Sequence, residues 1–378
     1  MPLDPPDDDH PGGPPGFGGP DPFGAFGDMA EGITQFLSLF AGGATPGAPN
    51  WDQARQSAAA MAAEGASEPN VDPLVRIQFE QLARVAELHV ASTTGLAVSR
   101  RGAGITIRPV NRMQWASTTV DDYRPIFETL AGSLGRMMTA QLEGLDGDDL
   151  EGLSGALPPG LGIDVTALMG AMSGFIGPVM LVTLAGSTVG QIGSRAFGSY
   201  DLPIPRPEGD ELLVVATTID AFGEAWSLPL DDLRLYTCLD EIAHHAVLGV
   251  PHVRSRLTEL LAAHADAFEA DPTAIERRFG DLDLDLDLDL DEIDPSDPAM
   301  ANRLQATLGN PEFMLNAIRS DRQRAILPQL DTLVACVEGY VQWVVDTIGS
   351  TLLGDHARVK EAFRRAVLRA TERAGEMG

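Results

Sequence analysis

Lysine is all but missing from this chain: Lys360 is the only one among 378 residues, and arginine carries nearly all the positive charge. Cations are scarce altogether, with 26 Lys and Arg against 55 Asp and Glu and a net charge of -29. Nucleic acid and anionic membrane surfaces both select for basic patches, so neither is expected as a partner. Cysteine is equally scarce, with only Cys238 and Cys336. Two thiols build neither a disulfide framework nor a paired C-x-x-C site, and a reducing cytoplasm is the expected compartment. The N-terminus, MPLDPPDDDHPGG, has no basic start and no apolar run, so no secretory signal is expected. Several catalytic signatures are also absent. There is no G-x-S-x-G elbow and no phosphate loop ending in G-K-[ST], and Gly160 and Gly162 lack the third glycine of a dinucleotide fingerprint.

What is present is a mainly helical pattern behind a biased tail. Residues 1–48 are rich in Pro, Gly and Asp, and such a segment buries too little apolar surface to offset its chain entropy, so disorder is expected. From residue 49 to 378 one domain is expected, with an acidic low-complexity insertion at 281–297 that contains DLDLDLDLDLDE. Asn50 suits the cap of a helix from Trp51 to about Ala63, and Asp72–Pro73 opens a longer one. Residues 105–110 (ITIRPV) and 212–217 (LLVVAT) read as strands, and a helical run is expected from Trp115 to about Leu142. Further helices are expected over Val253–Ala270, Pro311–Ile318, Ser320–Asp346 and from Asp355 to about Arg373.

Between Asp164 and Arg195 no charged residue occurs, a length that could span a bilayer. Pro178 interrupts it, and Gly170, Gly174, Gly177, Gly186, Gly190 and Gly193 punctuate it. Basic flanks and aromatic belts are missing, so a closely packed core helix is expected and a membrane span is not.

The chain is organised around Leu230–Pro251, LDDLRLYTCLDEIAHHAVLGVP, which reads as one helix. Asp231 and Asp232 suit its first turn, Gly249 and Pro251 suit its stop, and Tyr236, Leu239, Ala243, Ala246, Val247 and Val250 recur at helical spacing. Asp240, Glu241 and His244 fall on another face. A zinc peptidase helix of the form H-E-x-x-H binds one metal through histidines four apart and uses the glutamate on a metal-bound water. Here the Glu and the second His are in place, and Asp240 stands where the first His would be. A solvated or hydrogen-bonded Glu–His pair on an ordinary helix is the plainer reading of those residues.

Several stretches together resemble one family, the zincin-like metalloproteases or hydrolases of actinobacteria. They are NWDQAR (Asn50–Arg55), VNRMQW (Val110–Trp115), GQIGSRAFGSYDLPIP (Gly190–Pro205), LLVVATTIDAF, the DEIAHH helix, VPHVRSRL (Val250–Leu257) and VEGYVQWVVD (Val337–Asp346). The resemblance implies a zincin-like helical domain and hydrolysis of a peptide or amide bond. It implies Glu241 as the catalytic base, with His244, Asp240 and Glu338 as metal ligands. Tyr340 stands where family members often carry a His, and Tyr340 or His245 would be an accessory group at the oxyanion. The implied cofactor is zinc, but an Asp–His–Glu donor set carries two anions and suits a harder ion such as manganese or magnesium better. The rival expectation is a pseudoenzyme in which the same cluster is a buried polar network and the chain serves as a scaffold or regulator. The thiols of Cys238 and Cys336 are expected to face the core, and His252 and His356 the solvent.

Overall fold

The computed structural model describes residues 49–143, 178, 181–267 and 320–376, with side chains described up to 133 in the helix ending at 143 and up to 366 in the last helix. The expectations for the tail 1–48, the connector 144–160, the segment 164–177, the acidic stretch 281–297 and the helix 311–318 lie outside those residues.

The described elements run in order α1 (Trp51–Ala62), α2 (Pro73–Thr94), β1 (Thr106–Val110), α3 (Arg112–Glu143), a helix over residues 181–193 (α4), β2 (Glu211–Val215), α5 (Ala216–Trp226), α6 (Leu230–Leu248), α7 (Pro251–Asp266), α8 (Asp321–Leu352) and α9 (His356–Glu376). The fold is mainly helical with short strands, as the periodicity predicts. The caps explain the starts. Asn50 Oδ1 accepts the Gln53 N–H at 3.2 Å, Asp72 Oδ1 accepts the Leu74 N–H at 2.8 Å, and Ser320 and Gln323 form a reciprocal capping box on α8. The expected strand at 212–217 is one residue early and ends at Val215; Ala216 and Thr217 instead begin α5, a helix the strand reading overran.

β1 and β2 pair in parallel, with Ile107 opposite Leu212 and Val110 opposite Val215. Parallel neighbours need a crossover, and α3 and α4 lie in the chain between them. The chain at Gly198 adds an antiparallel bridge to Val214, which draws the 194–210 loop onto the sheet.

Two apolar cores result. One gathers α1, α3 and α4 around Trp115, Leu181 and Val189. Here the glycine spacing takes effect: Gly186 lies on Ala54 and Ser57, Gly190 on Ala58 and Met61, and Gly193 on Ala62 and Trp115. The described part of the uncharged stretch is therefore a packed helix, and no described helix is long and apolar enough to cross a membrane. The other core surrounds α6, which packs against α2 and α8 and is buried on almost every side, including Leu233, Leu239, Ile242 and Leu248. Cys238 is in that core, and burial pushes its thiol pKa up. Cys336 is not: it is exposed on α8, because only one stripe of that helix (Val337, Val341, Val344, Val345, Ile348) is covered. His252 is exposed, whereas His356 is tucked beside Asp346, Nε2 to Oδ1 3.3 Å.

Candidate functional site

α6 carries Asp240, Glu241, His244 and His245 on adjacent turns, α8 brings Glu338 alongside, and the 194–210 loop closes over the helix. His244 is the hub. Only 3% of its side chain is exposed. Its Nδ1 lies 3.0 Å from the main-chain oxygen of Asp240 and 3.3 Å from Asp240 Oδ2. Its Nε2 lies 3.4 Å from Glu338 Oε1 and makes no hydrogen bond. Burial depresses the imidazole pKa, but the carboxylates of Asp240 and Glu338 outweigh it and hold the pKa well above the ordinary value. His244 thus lies between two carboxylates, Asp240 partly exposed and Glu338 exposed.

The spacing on the Nε2 side can be tested against a metal. Donors bound at about 2.0–2.2 Å to one tetrahedral ion stand roughly 3.3–3.6 Å apart. The 3.4 Å between His244 Nε2 and Glu338 Oε1 fits that edge. A hydrogen bond from Nδ1 to the Asp240 carbonyl is also the usual way to fix a ligating imidazole, leaving Nε2 for the ion. Asp240 does not share that side. Its carboxylate stops at Nδ1, on the other edge of the ring, because an Asp side chain is too short to reach past it. Among the described residues no three His, Cys, Asp or Glu side chains converge to hold a cation. Two of the three ligands expected from the sequence are brought together, and the third is placed to orient one of them.

Glu241 meets the loop. Both carboxylate oxygens lie within hydrogen-bond distance of the Tyr200 N–H, at 3.1 and 3.2 Å, and the group is 2% exposed. Its pKa is raised well above the usual range by burial, with the negative charges of Asp201 and Asp240 adding to it. Gly198 makes room for this arrangement: a Cβ there would lie 2.2 Å from Glu241 Oε1. Asp201 Oδ2 in turn accepts the N–H groups of Phe197 and Gly198, each at 2.6 Å, and the indole of Trp115 donates to the Gly198 carbonyl at 2.6 Å.

His245 is held elsewhere. Its Nδ1 is 2.9 Å from the Tyr200 hydroxyl and its Nε2 is 3.5 Å from Asp210 Oδ1. Burial, with the nearby charge of Arg100, lowers its pKa to about 4, so it is neutral at pH 7. Tyr340 is exposed on α8, and its ring meets Trp343 at 5.6 Å.

The residue that sequence reasoning missed is Tyr200. Its ring stacks on His244 with centroids 5.8 Å apart, its N–H binds Glu241 and its hydroxyl meets His245. The segment Gly190–Pro205 was visible as a matching stretch, but its role depends on a loop that crosses α6 some 40 residues later in the chain, and no local pattern encodes that. Gly198 was the available hint.

A sequence model described as zincin-like metallopeptidase matches residues 50–376. No curated protein matches the chain. Among solved structures, a provisionally assigned hydrolase with a novel fold from Chloroflexus aurantiacus is similar at 16% identity and a TM-score of 0.49, over 84% of this chain and 75% of that one.

Proposed function

The chain belongs to the zincin-like metallopeptidase family, and from that premise we propose that it is a metal-dependent hydrolase of a peptide or amide bond with a reduced metal site. The observation that carries the reading is the unbonded, buried Nε2 of His244 facing Glu338 at 3.4 Å. His244 and Glu338 would hold the ion. Asp240 is a positioning residue: through Nδ1 it fixes the ring and keeps Nε2 turned to Glu338. The ion, zinc or manganese, would supply Lewis-acid polarisation of the scissile carbonyl and a more acidic bound water. For its part the protein must give up the His244 proton as the ion enters, so binding is coupled to pH. Glu241 is the general base on the family pattern. To serve, its carboxylate would have to leave the Tyr200 N–H and turn toward His244 and Glu338. Tyr340, exposed two residues after Glu338 on α8, would be the accessory group at a substrate oxyanion. His245, enclosed by Tyr200 and Asp210, supports the loop. The substrate is a peptide or protein.

A second reading has its own support. Glu241 is satisfied by backbone and sealed by Gly198, and no third protein ligand joins His244 and Glu338 among the described residues. In that reading the cluster is a structural clamp between α6, α8 and the loop, and the chain is a pseudoenzyme that binds a partner.

Elemental analysis of the purified full-length protein after zinc and manganese loading separates the two. The enzyme reading expects near-stoichiometric metal in the wild type, lost in both His244→Ala and Glu338→Ala, together with hydrolysis of a fluorogenic peptide mixture that the same variants abolish. A wild type that retains no metal sinks it and leaves the pseudoenzyme.

A further inference from the structure

A helix with one side in the core is expected to be polar on the other. α2 is not. Its core side carries Phe79, Ala83, Ala86 and Val90. On the opposite side Leu74, Ile77, Val85 and Leu88 stand in solvent, 67%, 50%, 41% and 67% exposed. Exposed apolar side chains scattered singly are ordinary, but a continuous row of them marks a contact surface. Seven large apolar side chains are exposed among the described residues, and four of the seven are in this row.

Two properties of the row point to its occupant. The first is that it mirrors itself. Exposed Gln81 is its centre: Ile77 and Val85 are each four residues from it, and Leu74 and Leu88 are each seven. At about 100° per residue, all five fall within roughly 40° of one line down the helix. Two such helices laid antiparallel therefore match along their length. Leu74 of one meets Leu88 of the other, Ile77 meets Val85, and Gln81 meets Gln81.

The second property is charge. α2 holds Arg76 and Arg84 against Glu80 and Glu87, and so is balanced in a chain with a net charge of -29. Arg84 and Glu80 are exposed and lie on the same flank of the row. In an antiparallel pair related by a two-fold axis that flank faces itself. Arg84 of each copy then falls about 3 Å along the axis from Glu80 of the other, at 1.5 Å per residue.

We propose that this face of α2 docks a second copy of the chain, the two α2 helices packing antiparallel about Gln81. The contact is self-complementary, so it closes at two copies. The row takes four steps over the 14 positions from Leu74 to Leu88, which is the 3.5-residue period of a coiled-coil seam. The Gln81 amide both donates and accepts, so the two can bond across the axis and fix the register. A single helix pair is a small interface, and the dimer should be weak, with a Kd on the order of micromolar or above. The row is turned away from α6, so the proposal stands whether or not a metal binds at His244.

The test is sedimentation equilibrium of the full-length protein from about 1 to 300 μM, in roughly 0.15 M salt to screen the net charge. The wild type should show a reversible monomer–dimer equilibrium. Ile77→Glu and Leu88→Glu alter exposed positions, so Tm should hold while each weakens the dimer about tenfold or more. Glu80→Arg and Arg84→Glu should each weaken it as well, although they move the net charge in opposite directions, and the double variant should recover. Direction is read by crosslinking in a Cys336→Ser background, which removes the exposed native thiol. There Gln81→Cys should link two copies on mild oxidation, and Leu74→Cys should not. A wild type that stays monomeric throughout overturns the proposal and leaves the face to a different protein. A dimer untouched by Ile77→Glu and Leu88→Glu overturns it by placing the interface elsewhere. Equal crosslinking at positions 74 and 81 overturns the antiparallel arrangement.

Discussion

His244 presents Nε2 to Glu338 at 3.4 Å and Nδ1 to Asp240 at 3.3 Å, so one buried imidazole spans two carboxylates from two helices. Both contacts come from helical geometry. Residues four apart on α6 stack, and α8 packs alongside with Glu338 on the near face. Two histidines four apart can both reach one ion. An aspartate at the first position reaches only the near edge of the ring.

Restoring that reach should strengthen the site. Asp240 is partly exposed, so the larger imidazole of Asp240→His has room. Losing a group that merely orients a metal ligand typically costs about 10- to 100-fold in affinity, and gaining a ligand should matter at least as much. Asp240→His is expected to hold zinc at least about tenfold more tightly than the wild type, read by competition with a chromogenic chelator. Equal affinity would mean that position 240 does not face the ion.

The helices and their starts were legible because they are local: Asn50, Asp72 and Ser320 each cap the helix that follows them. The pairing of His244 with Glu338 was legible only through the family resemblance, since 94 residues separate them. What stayed hidden is directional. The H-E-x-x-H pattern predicts a Glu241 aimed at a metal-bound water, but nothing within α6 shows that Tyr200 offers its N–H from the other side. Cys336 went astray for the same reason: a helix period gives faces, but not which faces a neighbour covers.

Gly198 and Glu241 should be energetically coupled. A methyl group on Gly198 would overlap Glu241 Oε1, which is enclosed and has little room to retreat. Gly198→Ala should cost about 1–3 kcal/mol, as overpacking does. In a Glu241→Ala background the clash is gone, and the same substitution should cost much less. A double-mutant cycle by urea denaturation gives the coupling energy. Additive effects would mean that the loop and the carboxylate are not in contact.

Close approach of α4 to α1 gives a separate prediction. A Cβ on Gly190 would stand 2.7 Å from Met61 Cβ and 2.9 Å from the Ala58 carbonyl oxygen, so the two backbones must part. Gly190→Ala should lower stability by about 1–3 kcal/mol despite the better helix propensity of alanine. Gly209→Ala is the control, because nothing lies within 4 Å of that position. A melt of Gly190→Ala no lower than that of the control would refute the packing.

Stability should also depend on pH through Glu241. In the metal-free fold its pKa lies well above that of an exposed glutamate, through burial first and then through Asp201 and Asp240. The folded state therefore holds a proton that the unfolded chain releases near pH 4.5. Below that pH both states are protonated and the contribution to stability is whole. As pH rises from there toward the folded pKa, the unfolded state gains by ionising and the contribution is lost. Glu241→Gln keeps an oxygen to accept the Tyr200 N–H and cannot ionise. Its stability relative to wild type should therefore rise across that window, measured by chemical denaturation at a series of pH values after metal removal. The same substitution should abolish any hydrolysis if Glu241 is the base. A variant that is inactive yet more stable at neutral pH would show a carboxylate kept at a cost to the fold. A variant whose stability tracks wild type at every pH would show that Glu241 ionises as freely in the fold as outside it.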